Sequence, residues 1–590
     1  MSYKSRLRSL WQYLWYLDRR TRGLLTMDPR AALELSPELS DDERELASRL
    51  MADGSGDETE CDGSNKGGND DVVADGGSSG GSDDGSTFDV GDDYGTRKKV
   101  GLFLGPLLFA AIMVLPAPSG LSSAGKAVGA STVWIVTWWM TESVPIPATS
   151  LLPLVLFPAA AGIKPGVASK PYANDLIFLF MGGFFLAVAF QRWDLHRRIA
   201  LRTIKLIGSS PKMIILGFMV ATGFLSMWIS NTATTVMVTP IGLAVTLQVA
   251  DLVNERNLDI PTEQGEFNFG TGLMLAIAYS ATLGGIGTLI GTPPNIVFAS
   301  VVGDLFGRDI GFAQWMWYGV PIAVVGVVIA WIYITEIALK PRIDEIPGGL
   351  DVIDRQIEEL GGLSPEEKRV LVVFTATALA WLVRKPVINE FLPFVGDSTI
   401  AIAGAMVMFL TPAREKDGSF TFLLDWTTGL KIPWGVILLF GGGLSVANAF
   451  SETGLAQWIG NGLTILEGVP IVVLLAAVVL LTAFISEVAS NTATATMMMP
   501  ILAGLAIGIN VHPYALMVAG ATAASFVFML PVSTPPNSVV FGSGYITVPE
   551  MSRVGLGLKI IGLVLLIGIA MFWLPFAWGI DIANLPVWAT

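Results

Sequence analysis

Residues 230–234 read SNTAT, and residues 490–494 read SNTAT again, each inside a long apolar stretch. A TPPN motif follows each copy, at 292–295 and at 534–537. Glycine, proline and small polar residues in corresponding places of two apolar halves are typical of a secondary transporter that is built from an internal repeat. The sequence therefore predicts a binding site at these four interruptions.

The surroundings of the two SNTAT copies are also repeated. FMGG at 180–183 precedes the first copy and FGGG at 440–443 precedes the second, with the same spacing of 260 residues. The apolar stretches 213–250, 270–303 and 468–510 are longer than the roughly 20 residues that one perpendicular span needs. Two of them carry an SNTAT near the middle, so we expect each to fold as two half-depth helices that meet at a tip and re-enter on one side.

The composition is that of a membrane protein, with 52% hydrophobic and 15% charged residues in a chain of 590. We expect an all-α polytopic membrane protein with about 11 transmembrane helices and two re-entrant hairpins, arranged as two inverted-topology repeats. Cys61 is the only cysteine, which excludes an intrachain disulfide framework and a cysteine metal site. Motifs of hydrolases and metalloproteases are missing from the sequence, so we expect no enzyme activity.

The formal charge of −14 is concentrated near the N-terminus, because residues 38–95 contain 18 acidic residues against Arg44, Arg49 and Lys66. Such a Gly/Ser-rich acidic stretch cannot bury enough apolar surface to fold, and we interpret it as a disordered tail. The segment before it, with Trp11 and Trp15 among basic residues, is either an interfacial amphipathic segment or a plain cytosolic stub. The predicted organisation is an N-terminal segment (1–37), an acidic tail (38–96), a first transmembrane half (97–345), a cytoplasmic linker (346–366) and a second transmembrane half (367–590).

Lysine and arginine predict the orientation in a cell membrane, because they are enriched on the cytoplasmic side. Arg97, Lys98 and Lys99 precede the first span and predict a cytoplasmic N-terminus. The stretch 192–212 carries six Lys/Arg, whereas its counterpart 452–469 carries none. The two stretches are therefore expected on opposite sides, as inverted repeats require, and the C-terminus is expected outside.

The SNT tips have the chemistry of an anion site. Two half-helices that meet there are expected to direct backbone N–H groups and positive dipole ends toward the tip. Asn231, Thr232, Asn491 and Thr492 add amide and hydroxyl donors that suit carboxylate oxygens. A single Ser-Asn-Thr is better explained by helix–helix hydrogen bonding, but two copies with matched TPPN partners favour a binding site.

A bound divalent anion would need positive charge from another source, because 213–250, 270–307 and 470–552 contain no Lys or Arg. Freed carbonyls, hydroxyls and asparagine oxygens form the hard-oxygen cage that a small alkali cation requires. The sequence therefore predicts cation sites beside the tips. Glu487 either helps to hold a cation or a proton, or packs as a charge against polar backbone, and the sequence leaves both open.

These motifs together resemble the divalent anion:sodium symporter (DASS) family, di/tricarboxylate transporter type, within the ion-transporter superfamily. The resemblance covers about residues 97–585 and rests on both SNT motifs and both TPPN motifs. It also rests on WWMTE at 138–142, LHRRIAL at 195–201 and ISEVASNT at 485–492.

The resemblance implies a homodimer in which a transport domain moves as an elevator against a scaffold domain. It implies a sodium-coupled carrier of C4-dicarboxylates such as succinate or malate, without nucleic acid as a partner. The alternatives are a sulfate or other inorganic anion symporter, or a cation/anion antiporter or channel of the same superfamily. The implied substrate-binding residues are Asn231, Thr232, Asn491, Thr492, Thr534 and Pro535. The implied sodium ligands are Ser226, Ser230, Asn231 and Gly291 at one site, and Ser486, Ala489, Asn491 and Ser533 at the other.

Overall fold

The computed structural model describes residues 95–256, 260–263, 266–343, 351–415, 417–462 and 466–589. The predicted N-terminal segment 1–37, nearly all of the acidic tail 38–96 and the start of the linker 346–366 lie outside these residues. Helices form most of the described chain, with turns and loops between them.

The first half consists of long helices joined by short helical pieces. Its α-helices are α1 (Thr96–Val114), α2 (Ser123–Thr141), α3 (Ile146–Thr149), α4 (Pro153–Leu156), α5 (Pro165–Ser169), α6 (Asp175–Arg192), α7 (Leu195–Ile207), α8 (Pro211–Ser226), α9 (Asn231–Glu255), α10 (Asn268–Gly285), α11 (Pro293–Phe306) and α12 (Phe312–Ile332). Two π-helical turns (Phe157–Ala161 and Tyr333–Ala338) and a 3₁₀ turn (Lys170–Ala173) extend them.

The linker and the second half follow the same pattern. Their α-helices are α13 (Asp351–Leu360), α14 (Pro365–Val383), α15 (Asn389–Phe391), α16 (Asp397–Leu410), α17 (Trp426–Gly429), α18 (Trp434–Glu452), α19 (Leu455–Gly462), α20 (Ile471–Val488), α21 (Asn491–Gly508), α22 (Pro513–Ala524), α23 (Pro535–Phe541), α24 (Val548–Gly568) and α25 (Leu574–Trp578). Further turns are π-helical (Arg384–Ile388 and Ile569–Trp573) or 3₁₀ (Pro531–Ser533 and Val587–Ala589).

One element departs from the all-α expectation. Strands β1 (Pro412–Arg414) and β2 (Phe420–Phe422) pair antiparallel between α16 and α17, with Pro412 opposite Phe422. Arg192 at the end of α6 pairs with Glu415, in the turn between the two strands, and with Asp425, just after β2. Three-residue strands are too short for a sequence period to indicate them, and this ion-pair network stabilises the hairpin.

Seven helices within the described residues are long and apolar enough to cross a membrane, by length and composition. They are Pro165–Arg192, Asn231–Glu255, Phe312–Ala338, Pro365–Phe391, Trp434–Glu452, Ile471–Val488 and Val548–Trp578. Shorter apolar helices supplement them, among them Pro211–Ser226, Pro293–Phe306 and Pro513–Ala524. The prediction of a helical membrane protein with several long apolar helices is confirmed.

Polar residues at the helix ends explain why several helices begin where they do. Asn174 accepts from the backbone of Leu176 and caps α6. Ser364 and Glu367 form a reciprocal capping box at the start of α14, and Thr547 with Glu550 does the same for α24. These side chains satisfy N–H groups that would otherwise lack partners in the first turn of each helix.

The internal repeat extends well beyond the motifs. Seven consecutive helices, α6 to α12, recur in the same order as α18 to α24. Their first residues are 175 and 434, 195 and 455, 211 and 471, 231 and 491, 268 and 513, 293 and 535, and 312 and 548. The repeated unit is therefore a whole seven-helix arrangement, which places both SNT and both TPPN motifs at corresponding points.

The glycine-rich motif in front of each SNT allows helices to approach closely. A Cβ at Gly182 in α6 would lie 2.7 Å from the carbonyl carbon of Ala401 in α16. A Cβ at Gly443 in α18 would lie 1.9 Å from Thr496 in α21. Since real Cβ atoms do not approach this closely, only glycine permits these crossings, and α21 with its SNT motif is held against α18.

Candidate functional site

Both SNT motifs lie where one helix ends and the next begins. The helix α8 ends at Ser226 and α9 begins at Asn231, whereas α20 ends at Val488 and α21 begins at Asn491. The first arm of each pair therefore points its C-terminal carbonyls at the tip, and only the second arm points N–H groups there. The expectation that both arms contribute positive dipole ends is wrong, because the chain enters each tip through a helix C-terminus.

The first oxygen cluster consists of Ser226, Asn231, Ala281 and Gly291. The hydroxyl of Ser226 lies 2.6 Å from the Asn231 carboxamide and donates to the carbonyl of Ala281 at 2.6 Å. With its amide nitrogen turned toward Ser226, Asn231 donates to the carbonyls of Ala281 and Gly291, each at 3.2 Å. With its oxygen turned there instead, at 2.6 Å from Ser226, it presents the ligand that a cation requires. Three of the four residues expected at the first sodium site therefore meet, and the fourth, Ser230, caps α9 through Ala233 N at 3.3 Å.

Asn295 of the first TPPN motif holds the break between α10 and α11 in shape. Its amide nitrogen donates to the carbonyls of Gly285 (3.0 Å) and Thr288 (2.7 Å). Thr288 in turn donates to the carbonyl of Met227 at the first SNT tip. The break is thereby tied to the tip beside it, and neither Asn295 nor Thr288 was singled out from the sequence as a site residue.

The second oxygen cluster consists of Ser486, Asn491 and Ala524. Ser486 Oγ donates to the carbonyl of Ala524 at 2.6 Å and lies 3.1 Å from the carboxamide oxygen of Asn491. These contacts correspond to those of Ser226 with Asn231 and Ala281 in the first half. Ala489, the third residue expected at this site, is buried at the tip directly after α20.

Glu487 joins Ser533 to the second cluster. Its carboxylate accepts from the Ser533 hydroxyl at 2.7 Å and from the backbone N–H groups of Phe528 (3.0 Å) and Met529 (3.2 Å). It also pairs with Lys559 of α24 at 2.7 Å. Lys559 was missed by sequence reasoning, although a lone lysine inside an apolar span is itself a signal of a buried partner.

The residues expected to bind substrate differ in exposure. Thr492 and Thr534 are buried, Thr232 is half-buried and Pro535 is exposed. Within the described residues, the buried hydroxyl of Thr534 has no hydrogen-bond partner. A buried hydroxyl in that state is costly unless a ligand or water pairs with it, which fits a place in a binding site.

The two halves interlock at their broken helices. The SNT helix α9 packs against the TPPN helix α23 of the other half, and α21 packs against α11 in the same way. Tyr279 of α10 donates across the halves to the carbonyl of Phe528 at 2.9 Å. This reciprocal packing brings the motif-bearing helices of the two halves together.

The atoms that could bind a cation in this region are oxygens of carbonyls, hydroxyls and carboxamides rather than clustered acidic side chains. Among the residues that the structure describes, no group of three or more His, Cys, Asp or Glu side chains is arranged to hold a metal ion. Carbonyl, hydroxyl and carboxamide oxygens suit hard cations rather than transition metals. The two oxygen clusters therefore fit an alkali cation.

The family model for the sodium:sulfate symporter transmembrane region matches residues 97–578, which is most of the chain. The chain belongs to the sodium:sulfate symporter family. It is thus a membrane transporter of the DASS type rather than an enzyme, as the motifs predicted.

Members of this family include similar proteins from staphylococci. A protein named sodium-dependent dicarboxylate transporter SdcS from Staphylococcus saprophyticus is 45% identical over 83% of this chain and 94% of its own length. The protein of the same name from Staphylococcus aureus MRSA252 is 44% identical over the same shares. The solved structure of Neisseria gonorrhoeae MtrF covers 83% of this chain and 97% of its own at 14% identity, with a TM-score of 0.49.

Proposed function

We propose that this sodium:sulfate symporter family member carries C4-dicarboxylates such as succinate or malate into the cell together with sodium. The observation that carries the proposal is the pair of corresponding oxygen clusters at Ser226–Asn231 and Ser486–Asn491, each beside a helix N-terminus. The relatives named as sodium-dependent dicarboxylate transporters support this choice of substrate and coupling ion.

The electrostatics favour sodium as part of the binding site. Each SNT tip joins a helix C-terminus to a helix N-terminus, which carry about −0.5 and +0.5 charge and largely cancel. Basic side chains are missing from the motif-bearing stretches, and Lys559 is already paired with Glu487. Two negative charges in a poorly hydrated site therefore need bound cations for compensation, and substrate and sodium raise each other's affinity by the same factor.

The proposed roles follow the two clusters. Sodium binds beside Ser226, Ser230, Asn231 and Gly291 at the first tip, and beside Ser486, Ala489, Asn491 and Ser533 at the second. The substrate carboxylates meet the amides, hydroxyls and helix N-termini of Asn231, Thr232, Asn491, Thr492, Thr534 and Pro535. Asn231 and Asn491 serve both ligands, because each carboxamide has a donor for the anion and an oxygen for the cation.

The proposed architecture has eleven spans and two re-entrant hairpins in inverted repeats, with the N-terminus inside and the C-terminus outside. The six-to-zero contrast in Lys/Arg between 192–212 and 452–469 supports the inversion. The recurrence of seven helices supports the repeat. Transport proceeds by movement of a transport domain, which includes the motif helices, against a scaffold domain within a homodimer.

The deciding experiment is uptake of labelled succinate into proteoliposomes with and without an inward sodium gradient. A symporter accumulates succinate above the outside concentration only with the gradient. Replacing Asn231 or Asn491 by Ala should weaken sodium and succinate binding together, whereas replacing Thr232 or Thr492 should affect succinate more. Binding of succinate that is unchanged over a sodium series, with choline holding the ionic strength, would contradict the charge-compensation mechanism.

The same assay separates the alternatives. A channel carries succinate without concentrating it, and an antiporter requires a counter-substrate inside the vesicles. A sulfate symporter accumulates labelled sulfate under the sodium gradient and leaves succinate outside.

A further inference from the structure

Lys559 is a fully buried charge in an apolar helix, with a relative side-chain exposure of 0%. Its ammonium group lies 2.7 Å from Glu487 Oε1 and donates to the carbonyl of Ala483 at 2.8 Å. It also lies 4.8 Å from the centre of the Phe484 ring. All three partners belong to α20, the helix that leads into the second SNT tip, so Lys559 fastens α24 to that helix.

The two oxygens of the Glu487 carboxylate have different surroundings. Oε1 accepts from Lys559 and from the backbone N–H groups of Phe528 and Met529. Oε2 and the backbone carbonyl oxygen of Glu487 each lie 2.7 Å from the hydroxyl of Ser533, which donates its proton to one of them. Because Ser533 donates its proton to Glu487, the lone pairs of its oxygen remain for another ligand. The countercharge thus lies on one side of the carboxylate and Ser533 on the other.

The first half has no such pair at the corresponding positions. The counterparts of Glu487 and Ser533 are Met227 and Gly291, given the spacings of the SNT and TPPN motifs. The counterpart of Lys559 is Ala323, because Gly319 and Gly555, each four residues earlier, occupy corresponding places. A Cβ at Gly319 would lie 2.5 Å from the carbonyl oxygen of Ile286, and a Cβ at Gly555 would lie 2.2 Å from the carbonyl oxygen of Phe528. In the first half, hydrogen bonds from the uncharged side chains of Asn295 and Thr288 stabilise the break between α10 and α11 instead.

We propose that Lys559 is a positioning residue of the second sodium site, acting through Glu487. The ion pair is a fixed dipole whose negative end faces Ser533 and whose positive end is turned away toward Ala483. It therefore strengthens cation binding at the second tip without adding net charge near the substrate. The inference rests on the proposed sodium-coupled function and makes the two sodium sites unequal, with the second one electrostatically favoured.

Replacing either member of the ion pair alone should change the affinities for sodium and for succinate in opposite directions. Lys559→Met leaves Glu487 as an uncompensated negative charge, so sodium should bind about tenfold tighter and succinate, at saturating sodium, about tenfold weaker. Glu487→Gln leaves Lys559 as an uncompensated positive charge, so both signs should reverse. If the ion pair served folding alone, either substitution would weaken the binding of both ligands together.

The double variant Glu487→Gln/Lys559→Met keeps the test decisive where a single variant fails to fold, because it buries no unpaired charge. It lacks the dipole, so sodium should bind about threefold to tenfold weaker than to the unchanged protein, with succinate at saturating sodium little altered. Ile560→Met is the matched control, since it alters an exposed neighbour on the same helix.

The measurement is binding of sodium and of succinate to purified protein, combined with proteoliposome uptake. Unequal changes with the stated signs support the role of Lys559. Equal losses of both ligands, or a double variant with unchanged sodium affinity, overturn it. Absence of sodium dependence in the unchanged protein refutes the proposed function itself, which is a separate result.

Discussion

Gly285→Ala tests whether the position of Asn231 controls ligand binding. Gly285 is the last residue of α10, and it faces the Asn231 carboxamide. A Cβ at this position would lie 2.5 Å from one terminal atom of that carboxamide and 3.1 Å from the other. The nearest atoms belong to the end of a side chain, so the substitution displaces Asn231 and leaves the backbone in place.

The expected size of the effect follows from these distances. Ordinary contact begins at 3.4 Å, so the carboxamide has to move by about 0.9 Å. Binding groups generally have to be held within about 0.5 Å, and a misplacement of about 1 Å costs up to about 100-fold. We therefore expect the affinities for sodium and for succinate both to fall by about 10-fold to 100-fold, because Asn231 is proposed to serve both ligands.

The assay is succinate binding over a sodium series, together with proteoliposome uptake and thermal stability of the purified protein. Gly223→Ala is the matched control, because its Cβ would meet Ser280 and Val327 at an ordinary 3.4 Å. The control should bind both ligands normally. Normal sodium and succinate affinities in Gly285→Ala would refute the assignment of Asn231, and so would a loss confined to one ligand.

Three further predictions concern topology, the N-terminal tail and stability. In a cysteine-free background, cysteines replacing the exposed Arg202 and Gln457 should be labelled from the cytoplasm and from outside respectively, and labelling from one side would contradict the inverted repeat. Deletion of residues 1–90 should leave uptake largely intact, and lost uptake at normal membrane levels would show that the tail is needed. Arg198→Met should lower the free energy of unfolding by about 3–5 kcal/mol, because Glu367 loses the partner at 2.6 Å in a buried pair. The double variant Arg198→Met/Glu367→Gln should recover only part of this loss in a thermal melt, because the carbonyls of Leu360, Gly361 and Gly362 still lack the donor that Arg198 supplies.

The site was predictable from sequence where it depends on local chemistry. Glycine, proline and Ser-Asn-Thr in an apolar run interrupt a helix that lipid would otherwise enforce, so the breaks at Ser226–Asn231 and Val488–Asn491 follow from composition alone. Ser226 and Asn231 were expected to supply oxygens beside the first tip, and in the structure they lie 2.6 Å apart.

The direction of the helix ends was not predicted correctly, because a motif shows that a helix is interrupted and not which terminus faces the gap. The β1–β2 hairpin is too short to leave a period in the sequence. The bonds from Asn295 to Gly285 and Thr288 depend on how the break folds back on itself.

Local sequence patterns are enough to identify a helical membrane transporter with duplicated, broken helices and few charges near them. They do not show which distant residues meet at the breaks, because that depends on how the helices pack. Lys559 is far from Glu487 along the chain, and only the packing of α24 against α20 brings the two charges within 2.7 Å. Local sequence patterns report the preferences of single segments, whereas a buried charge is stabilised by whichever segment the fold places beside it.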